Sequence, residues 1–351
     1  MSNFQKFSME FFVRFAQGKM PYFLHSFGNE DAVFIFNRSP IKNGTFEIDL
    51  QVMPFIPTQY SWTTLHGQSI ALDEVTKYWP KNVNLKSKNI LTTPQDTYES
   101  YVAKSVKALE SGHLKKIVAA RKVSINAVDP EAKVFQALCR QYPNANVFAW
   151  WNGDSCWMGA SPELLLETIK NSNGEVMYSA DALAGTQVAS SNRNLSRSWT
   201  AKEVEEHQLV TDGIVQDLTT YGATQIAPSP LSNKIAGHLF HRFQSISFQT
   251  NKPEGILDCL HPTAALCGLP RKDARQWIIA HEGQDRDFYG GYFALRHNKA
   301  YYAWVNLRSA EFFDNCTVLH VGSGLTKDSS PREEWLETKE KTQTMLKVLH
   351  S

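Results

Sequence analysis

Residues 147–176, VFAWWNGDSCWMGASPELLLETIKNSNGEV, decide the architecture. The apolar run Val147 to Trp151 meets Asn152-Gly153, a dipeptide that tolerates the positive φ of a tight hairpin, and Ser172-Asn173-Gly174 repeats the signal a little later. Strands therefore flank Ser161-Pro162-Glu163 on both sides. Successive hairpins mean antiparallel pairing, which argues against a doubly wound parallel sheet, and no glycine-rich dinucleotide fingerprint follows a strand.

Moving outward, Lys115 to Ile125 alternates as a strand, with Ile117, Ala119, Val123 and Ile125 on one face and Lys116, Val118 and Ala120 on the other. Before it, Tyr101, Val102, Val106 and Leu109 recur at helical spacing between Thr97 and Leu109, and Gly112 is placed to end that helix. Asp129-Pro130 is expected to open the next helix as cap and first-turn proline. Thr200 caps a long helix from Ala201 to about Tyr221, with Glu203 completing a capping box and Gly222 at its end. Phe288 to His297, Ala300 to Ala310 and Cys316 to Gly322 read as three consecutive strands, and Ser330-Pro331-Arg332-Glu333 opens a last helix that reaches Leu349. Ala32 to Phe36 and Phe46 to Val52 suggest an early sheet. Met1 to Phe23 reads as an amphipathic first helix, because Lys6, Glu10, Arg14 and Lys19 interrupt it before a signal-peptide or membrane-spanning length accumulates.

Across 351 residues, 42% hydrophobic and 20% charged is the balance of a folded globular chain. Its 36 Lys and Arg nearly cancel 35 Asp and Glu, so no global field attracts nucleic acid or anionic lipid, and an anionic ligand needs a local site. Cys139, Cys156, Cys259, Cys267 and Cys316 are odd in number and scattered, which points away from a disulfide framework and toward the cytoplasm. With no linker, low-complexity segment or repeat, one domain over 1–351 is the simpler organisation.

Two helices each carry glutamates three apart on one face, Glu203 with Glu206 and Glu334 with Glu337. Facing each other, they would make an oxygen-rich cluster suited to Mg²⁺, although the same spacing also serves helix-dipole compensation. Lys116 on a small apolar face is a candidate base, since a lysine kept from water holds its proton less tightly; a sheet-edge lysine is the plainer alternative. Glu163, followed by Leu164, Leu165 and Leu166, is a candidate acid whose burial would keep it protonated, unless it lies on a surface loop. Gly322 and Gly324 let backbone N–H groups approach an anion, or simply form a tight turn. Arg308, placed on a strand face with Tyr302, Trp304 and Asn306, could grip a carboxylate or join a structural ion pair. His238 with His241, and Cys259, His261 and Cys267, match no zinc-binding spacing and read as core or satisfied polar residues.

The order of these segments resembles the chorismate-utilising enzymes, the family of isochorismate, salicylate, anthranilate and aminodeoxychorismate synthases. The resemblance rests on Lys116-Ile-Val-Ala-Ala-Arg121, Gly159-Ala-Ser-Pro-Glu-Leu164, Leu183-Ala-Gly-Thr186, Glu203-Val-Glu-Glu-His207, His261-Pro-Thr263, Phe288-Tyr-Gly-Gly291, Leu307-Arg-Ser-Ala310, Gly322-Ser-Gly324 and Glu334-Trp-Leu-Glu337 with Lys341. It covers residues 95–351, while residues 1–94 match loosely as a divergent, shortened N-terminal part. Ala264-Ala265 and Ser323 depart from the usual pattern, each by a small change.

The resemblance implies an α/β (α+β) fold of two large antiparallel sheets packed face to face with helices outside. It implies water rather than ammonia as nucleophile, because Lys116 stands where ammonia-using members carry glutamine. Ala184, where covalent aminating members place a lysine, points the same way, and His261-Pro262-Thr263 looks more like an isochorismate synthase than a salicylate synthase. In the implied reaction Lys116 activates a water that attacks C2 of chorismate and Glu163 protonates the departing C4 hydroxyl. Glu206 and Glu337 would hold Mg²⁺, with Glu203 and Glu334 as outer ligands. Ala184, Gly185, Thr186, His261, Tyr289, Arg308, Gly322, Gly324 and Lys341 would contact substrate. The expected partner is chorismate alone, acted on by a monomer with no glutamine amidotransferase subunit, nucleic acid or membrane. The absence of a carrier domain leans toward menaquinone over siderophore synthesis. A salicylate synthase, which would also eliminate pyruvate, and a noncatalytic chorismate-binding or regulatory protein are the competing functions.

Overall fold

Hairpins dominate the computed structural model, which describes residues 10–15, 17, 20–21, 24, 32–37, 46–57, 61–81, 84–189 and 198–349. Its strands are β1 (Glu10–Arg14), β2 (Val33–Asn37), β3 (Phe46–Met53), β4 (Thr63–Ile70), β5 (Lys116–Asn126), β6 (Asn146–Trp151), β7 (Cys156–Ser161), β8 (Leu164–Lys170) and β9 (Val176–Val188). They continue with β10 (Thr224–Pro228), β11 (Ser232–Ala236), β12 (Leu239–Gln249), β13 (Gly268–Leu269), β14 (Tyr292–His297), β15 (Ala300–Val305), β16 (Ser309–Phe312) and β17 (Cys316–Leu325). The helices are α1 (Val75–Tyr78), α2 (Gln95–Glu110), α3 (Ala132–Gln141), α4 (Ala201–Tyr221), α5 (Ile256–Leu260), α6 (Arg271–His281) and α7 (Pro331–Leu349).

Every strand pair among the described residues is antiparallel. Followed from neighbour to neighbour, the ladder runs β12, β9, β8, β15, β14, β3, β4, β2, β1, β6, β7, β16, β17, β5, β13, with β10 and β11 both on the outer edge of β12. The two sheets expected from the resemblance are thus two halves of one continuous ladder folded face to face. Their shared core is aromatic: the Phe293 ring of β14 lies 5.5 Å from Phe11 of β1, 4.5 Å from Phe148 and 5.7 Å from Trp150 of β6. Helices cover the outside, with α3 packed on β6 and β7, α4 on β9, and α2 and α7 on β5 and β17. No helix among the described residues is long and apolar enough to cross a membrane.

Local chemistry explains most boundaries. Asn152 Oδ1 accepts from the backbone N–H of Asp154 and Ser155, and Gly153 takes φ 93°, which closes the first hairpin. In the second, Asn171 Oδ1 accepts from the N–H groups of Asn173 and Glu175. Helix α4 has the bounds read from sequence, with the Thr200–Glu203 capping box formed and Gly222 at φ 87°.

Three expectations change. The N-terminal stretch forms strand β1 where it is described, residues 1–9 lying outside the described part. Because β1 sits between β2 and β6, Phe11 packs into the core between the halves and Phe12 into the one beneath α3, so apolar residues fall on both faces and mimic a helix stripe. Helix α3 starts at Ala132 with Glu131 as its cap, after a turn in which Glu131 N–H donates to Asp129 O. Between 288 and 312 there are three strands, not two, because the chain breaks at 306–308. There it leaves β14 and β8, the neighbours of β15, for β7 and β17, the neighbours of β16.

Phe293→Ala should lose about 3–5 kcal/mol of stability by opening a cavity between the halves. A lowered urea midpoint at unchanged denaturant slope is the expected reading, and an unshifted midpoint would contradict this packing.

Candidate active site

The two places where the chain crosses between halves lie side by side. At one, Ser161-Pro162-Glu163 joins β7 to β8; at the other, Asn306-Leu307-Arg308 joins β15 to β16. They are laced together: Val305 N–H donates to Glu163 O at 3.1 Å, Ala160 N–H to Arg308 O at 3.2 Å, and Ser161 Oγ to Val305 O at 2.6 Å. A cavity opens against these crossings. Its wall contains Glu163, Ala184, Gly185, Thr186, Glu206, Tyr289, Arg308, Gly322, Gly324 and Lys341, contributed by segments far apart in sequence.

Glu163 is buried, and Thr263 Oγ1 donates to its Oε1 at 3.4 Å. Burial first, and then the nearby Asp181, raise its pKa to about 8 against the pull of Lys116, Lys234 and the Thr263 hydroxyl. The carboxyl is therefore mostly protonated at neutral pH. Asp181 is itself tied down, pairing with Lys234 Nζ at 2.9 Å while that ammonium also donates to Pro162 O at 2.6 Å.

Arg308 sits at the crossing with φ 52°, not on a regular strand face as the alternation suggested. It is buried, and donates to Ala236 O at 3.0 Å and to His241 Nε2. His241 Nδ1 in turn lies 3.1 Å from Gly185 O, and burial lowers the pKa of this imidazole far enough to keep it neutral. Among the described residues no carboxylate stands within ion-pair distance of Arg308, so this buried cation has only neutral partners. Burial lowers its pKa to about 10, which leaves it charged at neutral pH. Such a group is set to receive an anion.

The glycines make room. Gly185, at φ 73°, is the extra residue of a bulge, since β12 pairs His241 with Thr186 and Arg242 with Ala184. At Gly324 a Cβ would collide with Glu206 Oε1 and stand 3.1 Å from Lys116 Cε; at Gly322 it would meet Ala119 O at 2.7 Å and Tyr289 Oη at 3.1 Å. Lys116, wholly buried behind Gly324, lies 3.1 Å from Glu206 Oε1. The strand face assigned to it is the cavity side, as Val118 in the wall demonstrates.

Helices α4 and α7 bring three carboxylates to this end of the cavity, each paired with a lysine: Glu206 with Lys116, Glu337 with Lys341 at 2.7 Å, and Glu334 with Lys202 at 2.5 Å. Lys341 Nζ also donates to Gly322 O at 2.9 Å. Burial raises the pKa of Glu334, while Lys341 and Lys202 overcome burial to lower that of Glu337. Glu203 takes a different part, its Oε2 accepting from Thr200 N–H at 2.7 Å in the capping box. The set is all oxygen, as a hard cation requires, and among the described residues the buried Oε2 of Glu334 has no hydrogen-bond partner. The lysines hold the other carboxylate oxygens, and no three acidic, His or Cys side chains among the described residues converge on a metal-binding point. The donor chemistry therefore fits Mg²⁺, on condition that the amines yield.

His261 stands outside the wall; its Nε2 lies 2.9 Å from Pro54 O, and burial lowers its pKa to about 4. Its block instead reaches the site through Thr263. Sequence reading passed over His241, assigned to the core, and also His320, Asp181 and Lys202. His320 lines the cavity between the rings of Trp157 and Tyr289. Only Lys202, adjacent to the Glu203–Glu206 pair, had a neighbour that could have singled it out.

With this geometry in hand, comparison with known proteins is specific. The sequence pattern of the chorismate binding enzymes matches residues 57–350. The salicylate biosynthesis isochorismate synthase of Pseudomonas aeruginosa is 32% identical over 265 residues, covering 72% of this chain and 54% of that protein. The isochorismate synthase MenF of Escherichia coli is 27% identical over 321 residues, covering 86% of this chain and 67% of that protein. The solved structure of that menaquinone-specific enzyme superposes with a TM-score of 0.75 at 21% identity, over 97% of this chain and 88% of its own. Anthranilate synthase component I from Streptococcus pneumoniae superposes with a TM-score of 0.64 at 15% identity, over 97% and 92% of the two chains. The chain thus spans about half the length of the Pseudomonas relative, and the structural likenesses establish the fold.

Gly324→Ala should push the Glu206 carboxylate off Lys116 and leave a buried ammonium unpaired, at a cost of about 3–5 kcal/mol. In a double-mutant cycle with Glu206→Ala the two losses should be far from additive; strict additivity in urea melts would refute the packing of Glu206 against Gly324.

Proposed function

The chain belongs to the chorismate binding enzymes, matched over residues 57–350, and from that premise we propose that it is an isochorismate synthase. The reaction moves an oxygen around the ring: water attacks C2 of chorismate, the double bonds shift, and the C4 hydroxyl leaves. One observation carries the reading, a carboxyl kept protonated at neutral pH in the same cavity as a buried guanidinium that has no carboxylate partner. The first is what an acid for the leaving hydroxyl needs, and the second what an anionic substrate needs.

In this reading Glu163 protonates the C4 oxygen and Lys116, having left Glu206 and become the neutral amine, takes a proton from the attacking water. The amine at 116, rather than a neutral amide, supports water as nucleophile, and Ala184 leaves no amine at the position that would favour covalent amination. Arg308 pairs with the enolpyruvyl carboxylate, steered by His241, which holds the guanidinium from behind. Tyr289 and the backbone around Gly322 and Gly324 close over the same end of the ligand. Mg²⁺, held by Glu206, Glu334 and Glu337, would neutralise the ring carboxylate and fix the ring in place. Glu203 contributes by fixing the start of α4, which aims Glu206.

Incubation of the purified chain with chorismate and Mg²⁺ should yield isochorismate by chromatography, without pyruvate. Salicylate with stoichiometric pyruvate would assign a salicylate synthase instead, and unchanged chorismate would favour a noncatalytic binding protein. Glu163→Gln and Lys116→Ala should each lower kcat by about 10² to 10⁴ with folding intact.

The pH dependence has a definite sign. The protonated form of Glu163 is the active one, so kcat/KM should fall as pH rises through about 8. Its folded pKa exceeds the ordinary 4.5, so its contribution to stability is greatest below that value and is lost as pH rises toward 8. Glu163→Gln should therefore raise the melting temperature near pH 8 even as it lowers turnover; a lowered one would show that the carboxylate is not held against its charge.

A further inference from the structure

Three lysines face three glutamates where α4, α7 and β5 meet, and they are not equivalent. Lys116 is wholly enclosed beneath the sheet, and Lys341 is fixed twice, to Glu337 and to the carbonyl of Gly322. Lys202 in the first turn of α4 differs. Its side chain keeps 21% of its exposure, and its hydrogen bond among the described residues is to Oε1 of Glu334, a residue only 1% exposed. Burial works against the charge of Lys202, but Glu334, Glu337 and Glu206 outweigh it and raise its pKa. One ammonium thus lies in the field of all three carboxylates, on a flexible four-carbon stem that leads to solvent.

We propose that Lys202 is a resident counter-cation for these carboxylates, and that its ammonium swings out when a divalent ion enters. The proposal rests on the metal site assigned above. Three ammonium groups already balance three carboxylates, so a dication arriving with Lys202 in place would leave two surplus positive charges in a buried site. Departure of Lys202 releases Glu334 Oε1, and Oε2 of the same carboxylate has no hydrogen-bond partner among the described residues. Lys202 thereby sets the affinity for the cation without touching substrate, as a positioning residue. It keeps a buried glutamate compensated in the metal-free protein and makes cation binding a displacement.

Binding of Mn²⁺ to the full chain without chorismate, followed by the paramagnetic resonance of the free ion, tests this directly. Lys202→Met should tighten Mn²⁺ by about tenfold or more, because one positive charge is removed from the immediate field of the ion. Lys202→Arg, which keeps that charge, should bind as wild type does, and adding Glu334→Gln to Lys202→Met should cancel the gain. Mn²⁺ should also raise the melting temperature of Lys202→Met more than that of wild type; Lys202→Gln serves the same comparison should the methionine variant fail to fold. Unchanged or weaker binding by Lys202→Met and Lys202→Gln, with wild type still binding Mn²⁺, would overturn the displacement and leave the metal site standing. No Mn²⁺ binding by any variant, with or without chorismate, would remove the metal site and this proposal together.

Discussion

Two short crossings, Ser161-Pro162-Glu163 and Asn306-Leu307-Arg308, carry the chain from one half of the folded ladder to the other, and the site depends on their being paired. Because β7 pairs with β16 and β8 with β15, both crossings must occur at the same corner. Regular pairing fails there, so backbone groups are satisfied across the gap, as between Val305 N–H and Glu163 O. Side chains at such a corner do not alternate between core and solvent. Glu163 and Arg308 are consequently delivered to one cavity although about two fifths of the chain separates them.

Electrostatics at this corner follow from enclosure more than from pairing. Glu163 is neutral because it is buried beside Asp181, while Arg308 is charged and buried among a neutral imidazole and a carbonyl. Desolvation without full compensation is costly, and here it is sustained by the large aromatic core and the continuous strand ladder around it. The lysine–glutamate pairs at the other end have a different character: each charge has an opposite within reach, so the cluster is quiet until a ligand alters the balance. A nearly neutral protein can thus present one end of a cavity that wants anions and another that is already balanced.

Much of this was legible in the residues. Hairpins at Asn152-Gly153 and Ser172-Asn173-Gly174 announced antiparallel pairing, and the Thr200–Glu203 box placed the start of α4, because both are local chemistry. The order of segments resembling chorismate-utilising enzymes brought most of the cavity wall into view, including Arg308 and the two glycines of β17. What escaped depends on distant neighbours. Alternation placed Arg308 on a strand, since nothing local records that the chain changes halves there. Phe11 and Phe12 looked like a helix stripe, since only the positions of β2 and β6 reveal that both faces are covered. His261 looked like a ligand contact and instead reaches the carbonyl of Pro54, outside the cavity wall, while His241, which no local spacing singles out, braces Arg308.

The position of β1 has a consequence for how the chain is made. It is the only link between the β2 side and the β6 side of the ladder among the described strands, and Gln51 of β3 accepts a hydrogen bond from Tyr292, 241 residues later. Emerging from a ribosome, the first four strands must therefore wait, with their aromatic faces uncovered, until most of the polypeptide has been synthesised. Such long waits are slow to resolve and invite non-native association. The strands that come first in the chain are the ones whose nascent form most needs shielding.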